Sequence, residues 1–370
     1  MDEPLNIALA CGGTGGHIFP GLATADALQG DGHLVTLWLA GKDIETPAVK
    51  KWKSPIVTVR AEGLPSGFSL RAVHRMFNLV KAGASCRRLM ASRKPDVVLA
   101  MGSYASAGPV SAALMLGLPV VLHEANVLPG RAVALFAKWA TTVAGSFEET
   151  RFYLRRKDLV LTGMPIRAEL EKAADHFVFD PSAQEDFTVL VMGGSLGAHR
   201  LNEIVSAAIC EVFSRDVGIR VIHLTGVADE QAIKEIYERA GVPHTVSAFC
   251  GDMASVYTKT HLAICRSGAA TCAEICAFGV SSLMVPYPFA THDHQMANAR
   301  AMERAGAADV VPERDLSESW LSDYLAGCMQ KPERLARIRA NARDRVQRSG
   351  ARQLADLVVQ TARAHKKTFH

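Results

Sequence analysis

One signature occurs twice in this chain, and its repetition limits the fold more than any other feature. NIALACGGTGGH, Asn6 to His17, and FTVLVMGGSLGAH, Phe187 to His199, each pass from an apolar run through a glycine loop with one hydroxyl residue into a helical pattern. NIALA, LVTLWLA, DVVLA and PVVLHE are the clearest strands of the first half; FTVLVMG, RVIHLTG, HLAICRS and SSLMVPY are those of the second. Near-continuous apolar strands separated by amphipathic helices point to parallel sheets covered on both faces. The prediction is an α/β chain of two Rossmann-like, doubly wound parallel-sheet domains. Its 370 residues exceed what one ordinary core accommodates.

The expected division is a first domain over 1–165 and a second over 166–344, with a polar linker around Glu169 to Asp186. In ARQLADLVVQTARAH, Leu354, Leu357, Val358 and Thr361 share one helical face, and Gly350 sets this segment apart from the helix before it. A terminal helix within 345–370 that crosses back to the first domain accounts for that isolation. In doubly wound sheets ligands bind beyond the carboxyl ends of the strands, so the expected site is the cleft between the two domains.

Composition removes several other classes. With 49% hydrophobic and 21% charged residues the chain is globular, and a net charge of +4 lacks the basic density of a dedicated nucleic-acid binder. Eight cysteines form no CxxC pair, and Cys265, Cys272 and Cys276 have no histidine at ligand spacing, so buried reduced thiols are expected rather than a metal site. Asp2 and Glu3 stand where a signal peptide needs cations. The uncharged run Val97 to Leu122 is long enough to span a bilayer. Its Gly102, Gly108, Pro109, Gly117 and Pro119 read better as strand, glycine loop, helix and second strand.

The glycine loops suit an anion. Glycine lets backbone approach a ligand closely, and the N–H groups at the following helix start face it, with the helix dipole adding about 0.3–1 kcal/mol. Neither GGTGGH nor GGSLGA fits the dinucleotide fingerprint, and neither has the lysine of a P-loop. His17 closes the first loop. It reads either as a helix-start histidine satisfied by backbone or as a general base, with Pro20 rigidifying the turn behind it.

CRSGAATCAEICAFG, Cys265 to Gly279, places Glu274 about two turns into a helix, where a carboxylate can accept both hydroxyls of a ribose; a solvated glutamate is the plainer reading. Asp293, His294, Gln295 and Asn298 form a polar group suited to sugar hydroxyls, though each alone would more often lie at the surface. No Asp-x-Asp pair occurs, so a diphosphate would be neutralised by helix starts and Arg266 rather than by a metal.

GGTGGHIFPG, PDVVLAMGSYAS, PVVLHEAN, GGSLGA, and RSGAATCAEICAFG with HDHQMANA stand in the order and spacing of one family. From about residue 5 to about residue 310 the chain closely resembles the MurG family of peptidoglycan glycosyltransferases. That resemblance implies a GT-B fold, two Rossmann-like domains facing across a cleft. It also implies inverting transfer of N-acetylglucosamine from UDP-GlcNAc to the 4-hydroxyl of a lipid-linked muramoyl pentapeptide, with no required cofactor.

By the same resemblance His17 is the candidate base, and Gly13, Thr14, Gly15, Gly16, Ser103 and Tyr104 form the acceptor and phosphate loops. Thr14, Asn126, Arg167, Ser195, Cys250, Arg266, Ala269, Ala270, Thr271, Glu274, His294 and Gln295 surround the donor. Within that set Asn126 faces the donor sugar, Ser195 a phosphate, Glu274 the ribose, and the backbone near Phe249 and Cys250 the uracil. Ser103, Ala125, Leu196 and Met164 depart from the family pattern, which has glycine, glutamine, glutamine and asparagine there.

The implied partners are UDP-GlcNAc, lipid I and an anionic inner-membrane surface, with no nucleic acid. The implied location is peripheral, on the cytoplasmic face of the cell membrane. Phe68 to Lys94 mixes Phe68, Val73, Met76, Phe77 and Val80 with seven cations, which suits either a lipid surface or an amphipathic core helix with a solvated basic face. Two other functions stay open. One is another GT-B enzyme using a UDP-sugar, such as a glycolipid glucosyltransferase or a UDP-GlcNAc 2-epimerase. The other is a non-catalytic sugar-nucleotide-binding subunit that recruits partners to the membrane.

Overall fold

The computed structural model describes residues 3–59, 83–154, 156, 158–180, 186–194, 198–215, 218–290, 293–347 and 349–369. The chain forms two compact units, Met1–Arg167 with Gln347–His370, and Ala168–Val346.

In the first unit the order is β1 (Asn6–Ala10), α1 (Gly15–Gly30), β2 (Leu34–Ala40), α2 (Pro47–Lys50), β3 (Ile56–Val59) and a helix α3 over 83–93. There follow β4 (Val97–Ala100), α4 (Ala107–Met115), β5 (Val120–Glu124), α5 (Arg131–Phe136), β6 (Thr142–Gly145) and β7 (Leu159–Leu161). All seven strands are parallel, in the order β3-β2-β1-β4-β5-β6-β7. The chain reverses its winding between β1 and β4, whose registers run Ile7 opposite Val97 to Ala10 opposite Ala100.

The apolar continuity of NIALA follows from burial on both faces. Ile7 and Leu9 enter one core, while Ala8 and Ala10 enter the other. The first of these cores is completed by the terminal helix α14 (Gly350–Phe369), which packs Leu354, Ala355, Val358 and Ala362 against α1 and the sheet. Val97 to Leu122 is strand, short 3₁₀ turn, α4 and strand, and no helix among the described residues is long and apolar enough to cross a membrane.

The second unit begins with α6 (Ala168–Asp175) and β8 (Phe187–Met192), followed by α7 (His199–Phe213), β9 (Ile219–Leu224), α8 (Glu230–Ala240), β10 (His244–Ser247) and α9 (Met253–Tyr257). Then come β11 (Leu262–Cys265), α10 (Ala269–Phe278), β12 (Ser282–Met284), α11 (His294–Arg304), β13 (Asp309–Val310), α12 (Glu318–Gln330) and α13 (Pro332–Asp344). Its six parallel strands take the order β10-β9-β8-β11-β12-β13, with the reversal between β8 and β11. Both glycine loops therefore leave the central strand at a topological switch point.

One expectation needs correcting. The polar segment from Glu169 opens as helix α6 and belongs to the second unit, because Leu170 and Ala174, one turn apart, bury against it. The buried thiols of Cys265 and Cys276 are pushed up to about 12 by loss of solvent, so they stay protonated and inert. Among the described residues no group of three or more His, Cys, Asp or Glu side chains could hold a metal ion.

Candidate functional site

The first unit assembles its candidate site at the carboxyl ends of β1, β4 and β5. Gly13 adopts φ +90°, and a Cβ there would lie 2.9 Å from the Tyr104 ring, so only glycine fits. Its N–H donates to Asp43 Oδ2 at 2.9 Å, and this amide is already committed. Thr14, Gly15 and Gly16 are exposed at the start of α1, where a helix's first N–H groups have no carbonyl four residues back to bond. Lys42 Nζ reaches the Tyr104 hydroxyl and stands 5.3 Å from the ring centre.

His17 is half-buried in the first turn of α1, and its Nδ1 lies 2.8 Å from the carbonyl oxygen of Met101, just beyond β4. A carbonyl can only accept, so Nδ1 carries the hydrogen and Nε2 is the ring atom able to take a proton. The switch point thus sets the ring's tautomer as well as its place. On β5, His123 is fully buried and held down to about 4, chiefly by desolvation, so it is a neutral framework group that donates from Nε2 to Gly163 O at 3.1 Å.

Glu124, which the sequence reading passed over, organises the next loop. Oε1 accepts from the Asn126 amide at 2.9 Å and from Asn126 Nδ2 at 3.4 Å, while Oε2 accepts from Gly130 N at 2.8 Å. Burial pushes this carboxyl up to about 7, although the amide hydrogen bonds favour its charged form. Asn126 is further pinned by Thr150 Oγ1 donating to its carbonyl at 3.0 Å. A glutamate ending the apolar strand PVVLHE was the available signal. Asp43 in GKDIE had none.

Ser103 shapes its own loop. It is buried, and its Oγ accepts from Ala105 N at 3.1 Å, capping the turn that presents Tyr104. Met164, a departure from the family pattern, is buried with Sδ accepting from Ser146 Oγ at 3.5 Å.

In the second unit Gly194 adopts φ +91° after β8, and α7 starts at His199; Ser195 and Leu196 lie outside the described residues. Ala269, Ala270 and Thr271 form the first turn of α10, behind an extended Gly268. Glu274 is half-buried, with one oxygen accepting from Tyr257 Oη at 2.7 Å.

The loop ahead of α10 is tied to α11. Ser267 Oγ donates to Gln295 O at 2.8 Å, and Asn298 Nδ2 donates back to Ser267 O at 3.1 Å. Gln295 Oε1 accepts from Tyr287 N at 3.0 Å, so the orientation of its side-chain amide is set by the loop before α11. His294, half-buried, opens the same helix. Cys250 is half-buried beside the exposed Phe249 in the loop after β10. Arg167, half-buried, is the last residue of the first unit before α6.

Arg266, expected beside the donor diphosphate, has protein partners within the second unit. It is 6% exposed, donates to Val285 O and Pro286 O, and pairs with Glu313 Oε2 at 2.5 Å. Its guanidinium, 5.4 Å from the Tyr287 ring centre, braces the loop carrying Tyr287.

The chain is similar to known proteins along nearly its whole length. Residues 7–145 match the glycosyltransferase family 28 N-terminal domain and residues 188–358 the C-terminal domain of that family. A protein of Myxococcus xanthus (strain DK1622) described as a UDP-N-acetylglucosamine--N-acetylmuramyl-(pentapeptide) pyrophosphoryl-undecaprenol N-acetylglucosamine transferase is 34% identical over 96% of this chain and 92% of its own. One of the same description from Burkholderia thailandensis is 38% identical over 92% of each chain. The crystal structure of Acinetobacter baumannii MurG superposes with a TM-score of 0.80 at 28% identity, covering 96% of this chain and 99% of that one. Near-complete coverage by these relatives, with both family 28 domains in place, shows that the chain belongs to the MurG family of glycosyltransferases.

Proposed function

We propose that this chain transfers N-acetylglucosamine from UDP-GlcNAc to the 4-hydroxyl of the muramoyl pentapeptide of lipid I, forming lipid II with inversion at the anomeric carbon. The observation that carries the mechanism is the tether from His17 Nδ1 to Met101 O. In this reading Nε2 receives the acceptor's hydroxyl proton while that oxygen attacks the anomeric carbon. The bond from that carbon to the diphosphate breaks in the same displacement, and its electron pair leaves with UDP. One displacement from the opposite face converts an α-linked donor into a β-linked product.

In this reading the exposed first turn of α1 takes the acceptor diphosphate, and Tyr104 lies alongside. The starts of α7, with Ser195, and of α10 neutralise the departing diphosphate through backbone N–H groups and dipoles, without a metal. Glu274 accepts from the ribose, the Phe249–Cys250 backbone meets the uracil, and Asn126, His294 and Gln295 address the sugar. Arg167 completes the donor set. The chain works at the cytoplasmic face of the membrane, resting on anionic lipid.

The test is turnover. Purified protein, UDP-GlcNAc and a short-chain lipid I analogue, with EDTA present, are expected to yield one disaccharide product per UDP, β-linked by its NMR coupling. His17→Ala should keep donor affinity and lose about 10²–10⁴ in kcat. An equal loss of binding and rate would move His17 out of the base role, and donor binding without product would favour a non-catalytic subunit.

A further inference from the structure

A polar chain runs from the start of α7 into the core of the second unit, and the proposed chemistry uses none of it. At the buried end Tyr237 and His223 meet at 2.9 Å through Tyr237 Oη and His223 Nδ1. His223 Nε2 faces Asn202 Oδ1 at 3.1 Å, and Asn202 Nδ2 donates to Asp229 Oδ2 at 2.7 Å and to Thr225 O at 3.0 Å. Because Asn202 gives both amide hydrogens away, its oxygen must accept from His223. His223 is then neutral with its hydrogen on Nε2, and Tyr237 donates to Nδ1. Burial holds His223 down to about 3, in agreement. Tyr237, His223 and Asn202 thus each pass one donor along the chain towards the Asp229 carboxylate.

The outer end is different. His199, the first residue of α7, presents Nδ1 to Asp229 Oδ1 at 2.9 Å and Nε2 to Glu203 Oε1 at 3.3 Å. Two carboxylates facing both ring nitrogens can be satisfied together only by an imidazolium. Asp229 stands at the start of α8 yet makes no cap bond there; its side chain is committed to α7. Asp229 and Glu203 are the charged groups that face His199, and they raise its affinity for a proton above the ordinary value. A carboxylate beside a helix start that must receive a diphosphate is adverse to binding unless its charge is offset. Here the compensating charge can be removed by pH.

We propose that His199 makes donor affinity proton-linked. As an imidazolium it offsets Asp229 and favours the UDP-GlcNAc diphosphate at the start of α7, and its deprotonation weakens donor binding. The inference rests on the proposed placement of the donor diphosphate at α7. One charge near a helix start amounts to roughly a two- to fivefold change in affinity.

Calorimetric titration of the full chain with UDP-GlcNAc alone, from pH 5.5 to 8.0 at fixed ionic strength, tests it. This donor's diphosphate does not titrate in that window, so a slope reports the protein. The expected result is a Kd that rises about two- to fivefold with pH. His199→Arg should hold the low-pH affinity throughout, His199→Gln the high-pH affinity throughout, and Asp229→Asn should move the midpoint to lower pH. His199 is 72% exposed in its side chain, so its two replacements leave the core untouched. A slope that survives His199→Gln unchanged belongs to another group, such as His294, and overturns the inference while leaving the donor site standing. Absence of donor binding at every pH would overturn the donor site itself.

Discussion

Glu124 and Asp43 show what a carboxylate does in this molecule when it touches backbone rather than substrate. Each is buried, and each holds a loop at the end of a strand in the shape that exposes its neighbours. For Glu124 the sign of the pH effect follows from burial. Its folded carboxyl titrates at about 7, above the ordinary 4.5, so between those values the folded state keeps a proton that the unfolded chain releases. The stability it contributes is complete below about 4.5 and is lost as pH rises through about 7. The thermal midpoint of the wild type should therefore fall more steeply from pH 5 to pH 8 than that of Glu124→Gln. Equal slopes would mean that the hydrogen bonds from Asn126 and Gly130 keep the carboxyl charged throughout. The sequence marked His17 and Glu274 by their motifs. It could not mark Met101, 84 residues from His17, or Tyr257, whose contacts define what those side chains can do. Arg266 stood in the right motif, but Glu313, which occupies its charge, lies 47 residues away.

Helices reveal the same division between pattern and partner. The strands were legible because two-sided burial makes them continuously apolar, and Val97 to Leu122 was separated from a bilayer span by its glycines and prolines. Helix α6 was hidden because only Leu170 and Ala174 among its eight residues are buried, too sparse a stripe to register against a charged background. Helix α14 is legible as a helix from Leu354, Leu357, Val358 and Thr361, whereas only its isolation points to a return to the first domain, and its packing against α1 is seen in the structure alone. Its energetics are now specific. Leu354 is fully buried in a core that also contains Ile7, Leu9, Leu28 and Leu37, all from the first unit. The second unit's core shares no residue with it. Leu354→Ala should cost about 2–5 kcal/mol and lower the first unit's melting transition by roughly 4–20 °C, leaving the second unit's transition in place. Scanning calorimetry distinguishes this from a helix that merely trails the fold, for which neither transition would move.

At the scale of the whole molecule, an enzyme of this family must meet an acceptor anchored in lipid, and the surface of the first unit has features suited to it. Leu89, Met115 and Trp139 are 40%, 53% and 53% exposed. Met115 lies against Gly83 at the start of α3, the helix that carries Leu89 with Arg87 and Arg88. Lys138 Nζ stands 5.8 Å from the centre of the Trp139 ring. Apolar side chains accompanied by cations are what an anionic surface attracts, and each nearby Lys or Arg contributes about 1 kcal/mol at moderate salt. Of the stretch Phe68 to Lys94 named from the sequence, positions 68–82 lie outside the described residues, and α3 supplies Arg87, Arg88 and Arg93. The chain should co-sediment with vesicles containing anionic lipid and not with neutral ones, and added salt should release it. Lys138→Ala should weaken that binding about fivefold, and Trp139→Ala should weaken it in a way that salt does not mimic. Neither replacement touches the loops assigned to chemistry, so turnover of a short-chain acceptor in solution should be unchanged while turnover of a long-chain acceptor in vesicles falls. If both acceptors slow equally, Lys138 and Trp139 support the fold of the first unit and the membrane contact lies elsewhere.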